Sequence, residues 1–199
     1  MCLKSRYSEE KYIECGCDEA GRGALAGPLF AAAVIFPYDY TNAQINDSKQ
    51  LTRKKREQLR EIIIRDALAF SVVDISEKEI DEINILNASI KGMNMAVKQL
   101  SITPELLLVD GNRFYTDLEI PYKCIVKGDA TFLSIAAASI LAKTYRDDKM
   151  EQLDKEYNMY GWKSNKGYPT AVHQQAILQY GLSPYHRRSF HLKNQLSLF

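Results

Sequence analysis

Hydrophobic and polar residues alternate along the chain in a pattern that predicts strands and helices in turn. Short apolar runs indicate strands at 12–17, 29–36, 70–75, 105–109 and 122–126. Apolar residues at helical spacing lie at 52–67, on and off from 76 to about 100, from 129 or 131 to about 157, and at 170–180. Three early strands, followed by helices that alternate with short strands, predict a mixed α/β domain.

Turn and cap residues support several of these boundaries. Ser76 with Glu79 three residues later resembles a capping box. Gly181 and Pro184 are expected to close the last helix. We divide the chain into a main domain at 1–157, a small helical extension at 158–194 and a tail at 195–199.

The charged residues are unevenly distributed, although the net charge is only +1. Residues 158–199 contain no Asp or Glu, and the rest of the chain holds 21 basic and 25 acidic residues. A carboxylate-rich body with a basic extension suits an enzyme that holds metal ions and binds phosphates. An ordinary solvated surface explains the same counts equally well. The basic residues of the extension are Lys163, Lys166, Arg187, Arg188 and Lys193.

The four cysteines and the apolar runs exclude several classes of protein. No C-x-x-C pair is present, so neither a zinc site nor a disulfide framework is indicated. Cys15 and Cys17 alternate in the first strand, and we expect them on one face of the sheet. No apolar run has the length of a signal peptide or a membrane span. We therefore expect a cytoplasmic protein without membrane contact.

Four acidic residues stand at strand ends or a helix start, where an acid has little structural purpose. Asp18 and Glu19 follow the first strand, Asp110 ends the apolar run 106–109, and Asp129 precedes the long helix. Two divalent ions held by such carboxylates can hydrolyse a phosphodiester without a protein nucleophile. Singly, Asp129 could be a helix cap, Asp110 a turn residue, and Asp18 and Glu19 surface acids. Together they predict a metal site.

Asp18 and Glu19 raise a geometric question, because adjacent residues of a regular strand point to opposite faces. Either the strand breaks at Ala20–Gly21, or Glu19 contributes partly through its backbone carbonyl. His173 and His186 permit a different, metal-free acid–base site. We disfavour that site because it leaves the four acids unexplained.

A series of segments resembles the ribonuclease HII family, and the likeness runs in the family's order from Gly16 to Phe190. The likeness is specific because it extends over most of the chain rather than one short motif. The segments are 18–23, 26–28, 31–35, 47–51, 109–112, 127–129, 134–143 with 146–147, 167–170 and 186–190.

The resemblance implies an RNase H-like fold, with a mixed sheet flanked by helices and a C-terminal helical segment that binds substrate. It implies an endonuclease that cleaves 5′ of ribonucleotides, both in RNA–DNA hybrids and at single ribonucleotides in duplex DNA. Two Mg²⁺ or Mn²⁺ ions are implied as cofactors. The metal-binding and catalytic set that the resemblance implies is Asp18, Glu19, Asp110 and Asp129.

The resemblance also implies how the substrate is recognised. The loop of Gly21, Arg22 and Gly23 would read the 2′-hydroxyl, largely through its backbone, since glycine permits close approach. Tyr168 would pack on the neighbouring deoxynucleotide, although a core tyrosine fits as well. Basic residues that lie in matching motifs and would contact phosphates are Lys49, Lys143 and Arg146. Further candidates for phosphate contacts in the basic extension are Lys163, Lys166 and Arg187. The basic run 53–56 fits either a phosphate contact or a solvated helix face.

The sister family, ribonuclease HIII, is the nearest alternative. That family carries an extra N-terminal platform domain and lacks the Gly-Arg-Gly form of the loop. Here about a dozen residues precede the first strand and the loop reads Gly-Arg-Gly, so type 2 is favoured. A hybrid-only nuclease, and a non-catalytic nucleic-acid-binding protein tethered to a clamp, stay open as alternatives.

The last five residues resemble the pentapeptide that binds the bacterial sliding clamp. A tail packed on the protein's own core, or a chance match, would account for them too. Exposed apolar side chains at a chain end are unusual without a partner. We expect a monomer that contacts the clamp through Gln195, Leu196, Leu198 and Phe199.

Overall fold

The computed structural model describes residues 3–190, which contain a five-stranded sheet in the order β3-β2-β1-β4-β5. β1 runs antiparallel to β2, and β2 antiparallel to β3, whereas β1, β4 and β5 are parallel. The sheet is therefore mixed, as predicted. The strands are β1 (Glu14–Ala20), β2 (Leu29–Ile35), β3 (Ala69–Ile75), β4 (Leu106–Asp110) and β5 (Tyr122–Ile125).

Helices cover both faces of the sheet. One face packs on α2, and the other on α1 and α3, so all seven residues of β2, which lies between β3 and β1, are buried. Gly16 explains how closely α3 approaches β1, because a Cβ there would lie 2.2 Å from the backbone of Ser134. The helices are α1 (Arg53–Asp66), α2 (Glu77–Lys98), α3 (Leu133–Glu156), α4 (Trp162–Asn165) and α5 (Ala171–Tyr180).

The start of α2 and a kink within it follow from local side-chain bonds. Ser76 accepts a hydrogen bond from the amide of Glu79, so the predicted cap is confirmed. Asn84 has a positive φ of 65°, and its side chain accepts hydrogen bonds from the amides of Leu86 and Asn87. The helix therefore restarts at this point, which accounts for the interrupted apolar pattern in the sequence.

Two predicted boundaries were wrong in ways that affect the site. β1 continues through Asp18 and Glu19 to Ala20, because these residues pair with β2 opposite Ala32, Ala31 and Phe30. Asp129 does not start the long helix. It lies in a 3₁₀ turn at Gly128–Ala130, and α3 begins only at Leu133.

The segment after α3 packs against the main domain through a separate hydrophobic cluster. Trp162 and Tyr160 of this segment contact Met150, Leu153 and Ala26. None of the helices within residues 3–190 is long and apolar enough to cross a membrane. The tail at 195–199 lies outside the described residues.

Candidate active site

Asp18 and Glu19 occupy opposite faces of β1, and the strand does not break between them. Asp18 lies on the α3 side of the strand, near Ser139. Ser139 also shares a 3.0 Å hydrogen bond with Ser48. Glu19 lies on the α2 side and accepts a hydrogen bond of 3.2 Å from Arg22. The two carboxylates therefore flank the end of one strand from both faces.

Asp110 and Asp129 adjoin the same edge of the sheet. Asp110 is the last residue of β4, which runs parallel to β1, so the two strands end on the same side. The amide of Gly128 donates a 2.7 Å hydrogen bond to Oδ1 of Asp110, and this bond places the turn that carries Asp129 beside it. Nζ of Lys49 donates a 2.9 Å hydrogen bond to Oδ2 of Asp129. The fold thus brings all four predicted acids to one region.

Burial and mutual repulsion act on three of these carboxylates. Burial raises the pKa of Asp18 well above its ordinary value, and the charges of Glu19 and Asp110 raise it further. Burial also raises the pKa of Glu19, against the opposing effect of Arg22. The pKa of Asp110 is raised by burial and then by the charge of Asp129. A site that gathers like charges in this way favours a bound cation.

The donor set suits a hard divalent ion, although the side chains are not arranged around one point. Within residues 3–190, no three His, Cys, Asp or Glu side chains lie close enough to hold an ion together. Arg22 and Lys49 instead pair with Glu19 and Asp129. All four predicted ligands are nonetheless carboxylates, which Mg²⁺ and Mn²⁺ prefer, and such an ion would relieve their repulsion.

A cavity of about 300 Å³ opens on the α2 side of this cluster. Glu19, Arg22 and Asp110 line one part of it, and Asn112 and Arg113 follow from the end of β4. Sequence reasoning missed the helix residues that complete its wall. These are Leu86, Ser89 and Met93 of α2, which carried no signal beyond helical spacing.

The loop of Gly21 to Gly23 leaves β1 directly after the acidic pair. Gly21 has a φ of 101°, and a Cβ there would lie 2.2 Å from Nε of Arg146, so only glycine fits. Tyr168 is partly buried beside this loop, since a Cβ on Gly23 would lie 3.9 Å from its ring. No acceptor within residues 3–190 takes a hydrogen bond from the amides of Arg22 or Gly23.

The structure corrects the role predicted for Arg146. Its side chain is completely buried, and its nitrogens donate to the carbonyls of Pro28, Lys166 and Ala26 at 3.0, 2.8 and 3.1 Å. Such a guanidinium cannot reach a phosphate, because it is buried and all three of its nitrogens donate to backbone carbonyls. Arg146 instead supports the segments on either side of the glycine loop.

The other predicted phosphate contacts are placed differently from one another. Lys49 is exposed beside Asp129, and Lys143 is only a quarter exposed and pairs with Asp147 at 2.5 Å. Lys166 pairs with Glu151 and is nearly buried, as is Arg187, so neither is available to substrate. Lys163 stays exposed. The basic extension therefore uses part of its charge inside the fold.

His173 and His186 form a buried network rather than a second acid–base site. Trp162 donates a 3.0 Å hydrogen bond to Nε2 of His173, which also lies 3.1 Å from Nε2 of His186. The amide of Ser183 donates to Nδ1 of His186 at 2.9 Å. Burial and the neighbouring imidazole lower the pKa of His186 to about 4. Both rings are thus neutral structural groups at physiological pH.

Comparison with known proteins identifies the family. The family model described as Ribonuclease HII matches residues 15–193. A relative named Ribonuclease HII from Phocaeicola vulgatus is 59% identical over 186 residues, which cover 94% of this chain and 92% of the relative.

Solved structures with the same fold include three enzymes of related type. The ribonuclease H2 from Pyrococcus horikoshii OT3 matches with a TM-score of 0.75 and 29% identity, over 89% of this chain and 93% of that one. The PCNA:RNase HII complex from Archaeoglobus fulgidus matches at 0.76 and 23%, over 92% and 97%. Bst-RNase HIII in complex with Mn²⁺ matches at 0.62 and 18%, over 84% of this chain but 62% of that one. The fold is therefore RNase H-like, as expected.

Proposed function

The chain belongs to the ribonuclease HII family, and from that premise we propose that it nicks duplex DNA on the 5′ side of embedded ribonucleotides. Membership makes the protein a ribonuclease H, an endonuclease that hydrolyses phosphodiester bonds in nucleic acid. The proposal extends to the bond 5′ of ribonucleotides in RNA–DNA hybrids. The observation that carries the proposal is the position of the glycine loop. Its amides at Arg22 and Gly23 follow Glu19 by three and four residues and have no acceptor among residues 3–190.

Two outward amides beside four carboxylates suit recognition and cleavage of a ribonucleotide. A backbone N–H can donate to a 2′-oxygen, and the 2′-hydroxyl is the group that distinguishes RNA from DNA. Tyr168 lies next to Gly23 and offers a flat surface to the adjoining nucleotide. We therefore assign recognition to Gly21, Arg22, Gly23 and Tyr168.

Asp18, Glu19, Asp110 and Asp129 would hold two divalent ions. When bound, these ions would activate water and stabilise charge on the departing oxygen. The amide of Glu19 orients the carboxylate of Asp18, and the amide of Gly128 orients that of Asp110. Arg22 and Lys49 counter the negative charge of Glu19 and Asp129. The identity of the metal, Mg²⁺ or Mn²⁺, stays part of the proposal.

The proposed reaction is the hydrolysis of one phosphodiester bond by one water molecule. Water adds to the phosphorus, the bond to the 3′-oxygen breaks, and that oxygen leaves with a proton. The products are a 3′-hydroxyl and a 5′-phosphate on the ribonucleotide. The 2′-hydroxyl is a recognition group here, so a cyclic 2′,3′-phosphate product would contradict the scheme.

Cleavage of three matched duplexes tests the proposal. One duplex carries a single ribonucleotide, the second is a full RNA–DNA hybrid, and the third is all DNA; each is assayed with Mg²⁺, Mn²⁺ or chelator. We expect metal-dependent nicking immediately 5′ of the single ribonucleotide and no cleavage of the all-DNA duplex. Cleavage of the hybrid alone would favour a hybrid-only activity. Binding without metal-dependent cleavage would favour a non-catalytic protein.

We propose a sliding clamp as a partner through the tail Gln195–Phe199. Support comes from the motif itself and from the Archaeoglobus relative, which was solved as a PCNA:RNase HII complex. Such tethering would bring the enzyme to newly replicated DNA, where misinserted ribonucleotides occur. The monomeric state, the cytoplasmic location and the division of the chain at 157 and 194 stay predictions.

A further inference from the structure

Arg187 binds the backbone of the glycine loop from inside the protein. Its Nη1 donates to the carbonyls of Gly21 and Arg22 at 2.7 and 3.1 Å. Nε and Nη2 both donate to the carbonyl of Gly27, at 3.0 and 2.7 Å. The side chain is only 2% exposed, so these bonds form away from water. One guanidinium therefore connects the two ends of the segment from 21 to 27.

These bonds also determine where the loop amides point. In a trans peptide the carbonyl and the following N–H point in opposite directions. Because the carbonyl of Gly21 points inward to Arg187, the amide of Arg22 must point outward. The carbonyl of Arg22 points inward too, so the amide of Gly23 must point outward as well. Both amides lack an acceptor within the described residues, as this geometry requires.

The position of Arg187 is itself fixed by backbone pairing. Its amide donates to the carbonyl of Leu25 at 2.8 Å, and the amide of Gly27 donates to the carbonyl of Tyr185 at 2.9 Å. Ala26 and His186 form an antiparallel bridge between these two bonds. The C-terminal segment is thus paired with the segment that follows the glycine loop, and the guanidinium extends from a rigid base.

Lysine could not reproduce this arrangement. The guanidinium is a planar group with several donors in fixed directions, whereas an ammonium is a compact point charge. Here one side chain must donate in different directions to the carbonyls of Gly21, Arg22 and Gly27, and only a planar guanidinium has donors placed to do so. The neighbouring Arg146 adds a second guanidinium, which binds the carbonyls of Ala26 and Pro28.

We propose that Arg187 is a positioning residue for ribonucleotide recognition, because it turns the amides of Arg22 and Gly23 toward the substrate. The inference rests on the proposed function, in which these amides read the 2′-hydroxyl. It predicts that Arg187 controls discrimination between ribose and deoxyribose without touching nucleic acid. The C-terminal segment would then determine specificity through the loop rather than through direct phosphate contacts.

The test compares the Arg187→Lys variant with an Arg188→Lys variant. The control makes the same replacement of a guanidinium by an ammonium, but at the adjacent, solvent-exposed residue. Two quantities are measured for each: kcat/KM on a duplex with one ribonucleotide, and the inhibition constant of an identical all-DNA duplex used as competitor. We expect Arg187→Lys to lower kcat/KM by about 100-fold, as misplacement of a positioning group does. Its inhibition constant for all-DNA duplex should stay within about twofold, because phosphate contacts are unchanged. Arg188→Lys should leave discrimination unchanged.

A second measurement separates positioning from loss of fold. Thermal melting shows whether Arg187→Lys is folded at the assay temperature, and Arg187→Ala is assayed with and without added guanidinium ion. Selective recovery of single-ribonucleotide cleavage by guanidinium supports the proposal. Wild-type kcat/KM in folded Arg187→Lys would overturn it, as would an equal loss of affinity for both duplexes. If the wild-type enzyme itself fails to prefer the ribonucleotide duplex, the proposed function fails instead.

Discussion

Nζ of Lys49 lies 2.9 Å from Oδ2 of Asp129, so a protein cation occupies one of the four carboxylates of the candidate metal site. The lysine side chain is 77% exposed, whereas that of Asp129 is 5% exposed. A divalent ion that binds Asp129 must therefore compete with an ammonium that can move into solvent. The pairing suggests that Lys49 tunes metal affinity.

Replacement of this lysine should strengthen metal binding. We expect Lys49→Met to bind Mn²⁺ about 1.4- to 5-fold more tightly, because an exposed ion pair contributes about 0.2–1 kcal/mol. Titration calorimetry measures the effect, with Lys54→Met as a control on the exposed surface of α1. Weaker Mn²⁺ binding in Lys49→Met would show that the lysine does not compete at this site.

Asp110 offers a direct test of the carboxylate assignment. Asp110→Asn keeps an oxygen that can accept the bond from the amide of Gly128, so the fold should persist. Loss of a group that merely supports a metal ligand costs about 10–100-fold, so loss of a ligand should cost at least as much in nicking rate. Asp117→Asn, which alters an exposed acid paired with Lys98, is the matched control. A wild-type nicking rate in Asp110→Asn would show that Asp110 is not a ligand of a catalytic metal ion.

The sequence predicted the number and order of the long elements because burial leaves a periodic signal. The apolar runs at 29–36 and 70–75 become β2 and β3 with a change of about one residue at their ends. The end of β1 was harder to predict. Asp18 and Glu19 extend the strand only because β2 supplies partners opposite them, and pairing with a distant strand leaves no local pattern.

The buried arginines show a second limit of the sequence. Arginine is a residue type that commonly binds phosphate, which made Arg146 and Arg187 candidates. In the structure their guanidinium groups donate instead to carbonyls of the loop between β1 and β2. Whether a guanidinium faces water or backbone depends on chain segments more than 100 residues away. The acids at strand ends were easier to identify, because a carboxylate after an apolar run is uncommon in itself.

Gly21 should tolerate substitution less well than a second glycine with a positive φ. Gly21 and Gly181 both have positive φ, at 101° and 77°, but only Gly21 has atoms where a Cβ would lie. Both alanine variants lose about 1–3 kcal/mol from backbone strain at positive φ. Gly21→Ala should lose about 1–3 kcal/mol more from the contact with Arg146. Urea unfolding at neutral pH measures both; equal losses would contradict the close packing at Gly21.

The tail gives a prediction that is independent of the active site. Phe199→Ala should weaken binding to a bacterial sliding clamp at least about fivefold, since anchoring aromatic residues contribute more than about 1 kcal/mol. Ser197→Ala, between the apolar positions of the motif, should bind like the unaltered chain. Fluorescence anisotropy with the full chain measures both. In the absence of clamp, all three proteins should cleave a short duplex at the same rate. Unchanged clamp binding by Phe199→Ala would show that the tail is not a clamp-binding motif.

The histidine network should make stability fall in mild acid. His186 has a pKa lowered from 6.5 to about 4 by burial and by His173, so the folded state disfavours its protonated form. For a group of this kind, stability is complete above pH 6.5 and is lost as the pH falls toward 4. The full change corresponds to about 3 kcal/mol at most. Because the buried carboxylates respond to pH in the opposite direction, the informative quantity is the difference between the protein and His186→Gln. Urea unfolding between pH 7.5 and 4.5 should show a steeper decline in the wild-type protein, and parallel curves would mean that His186 is not buried in its neutral form.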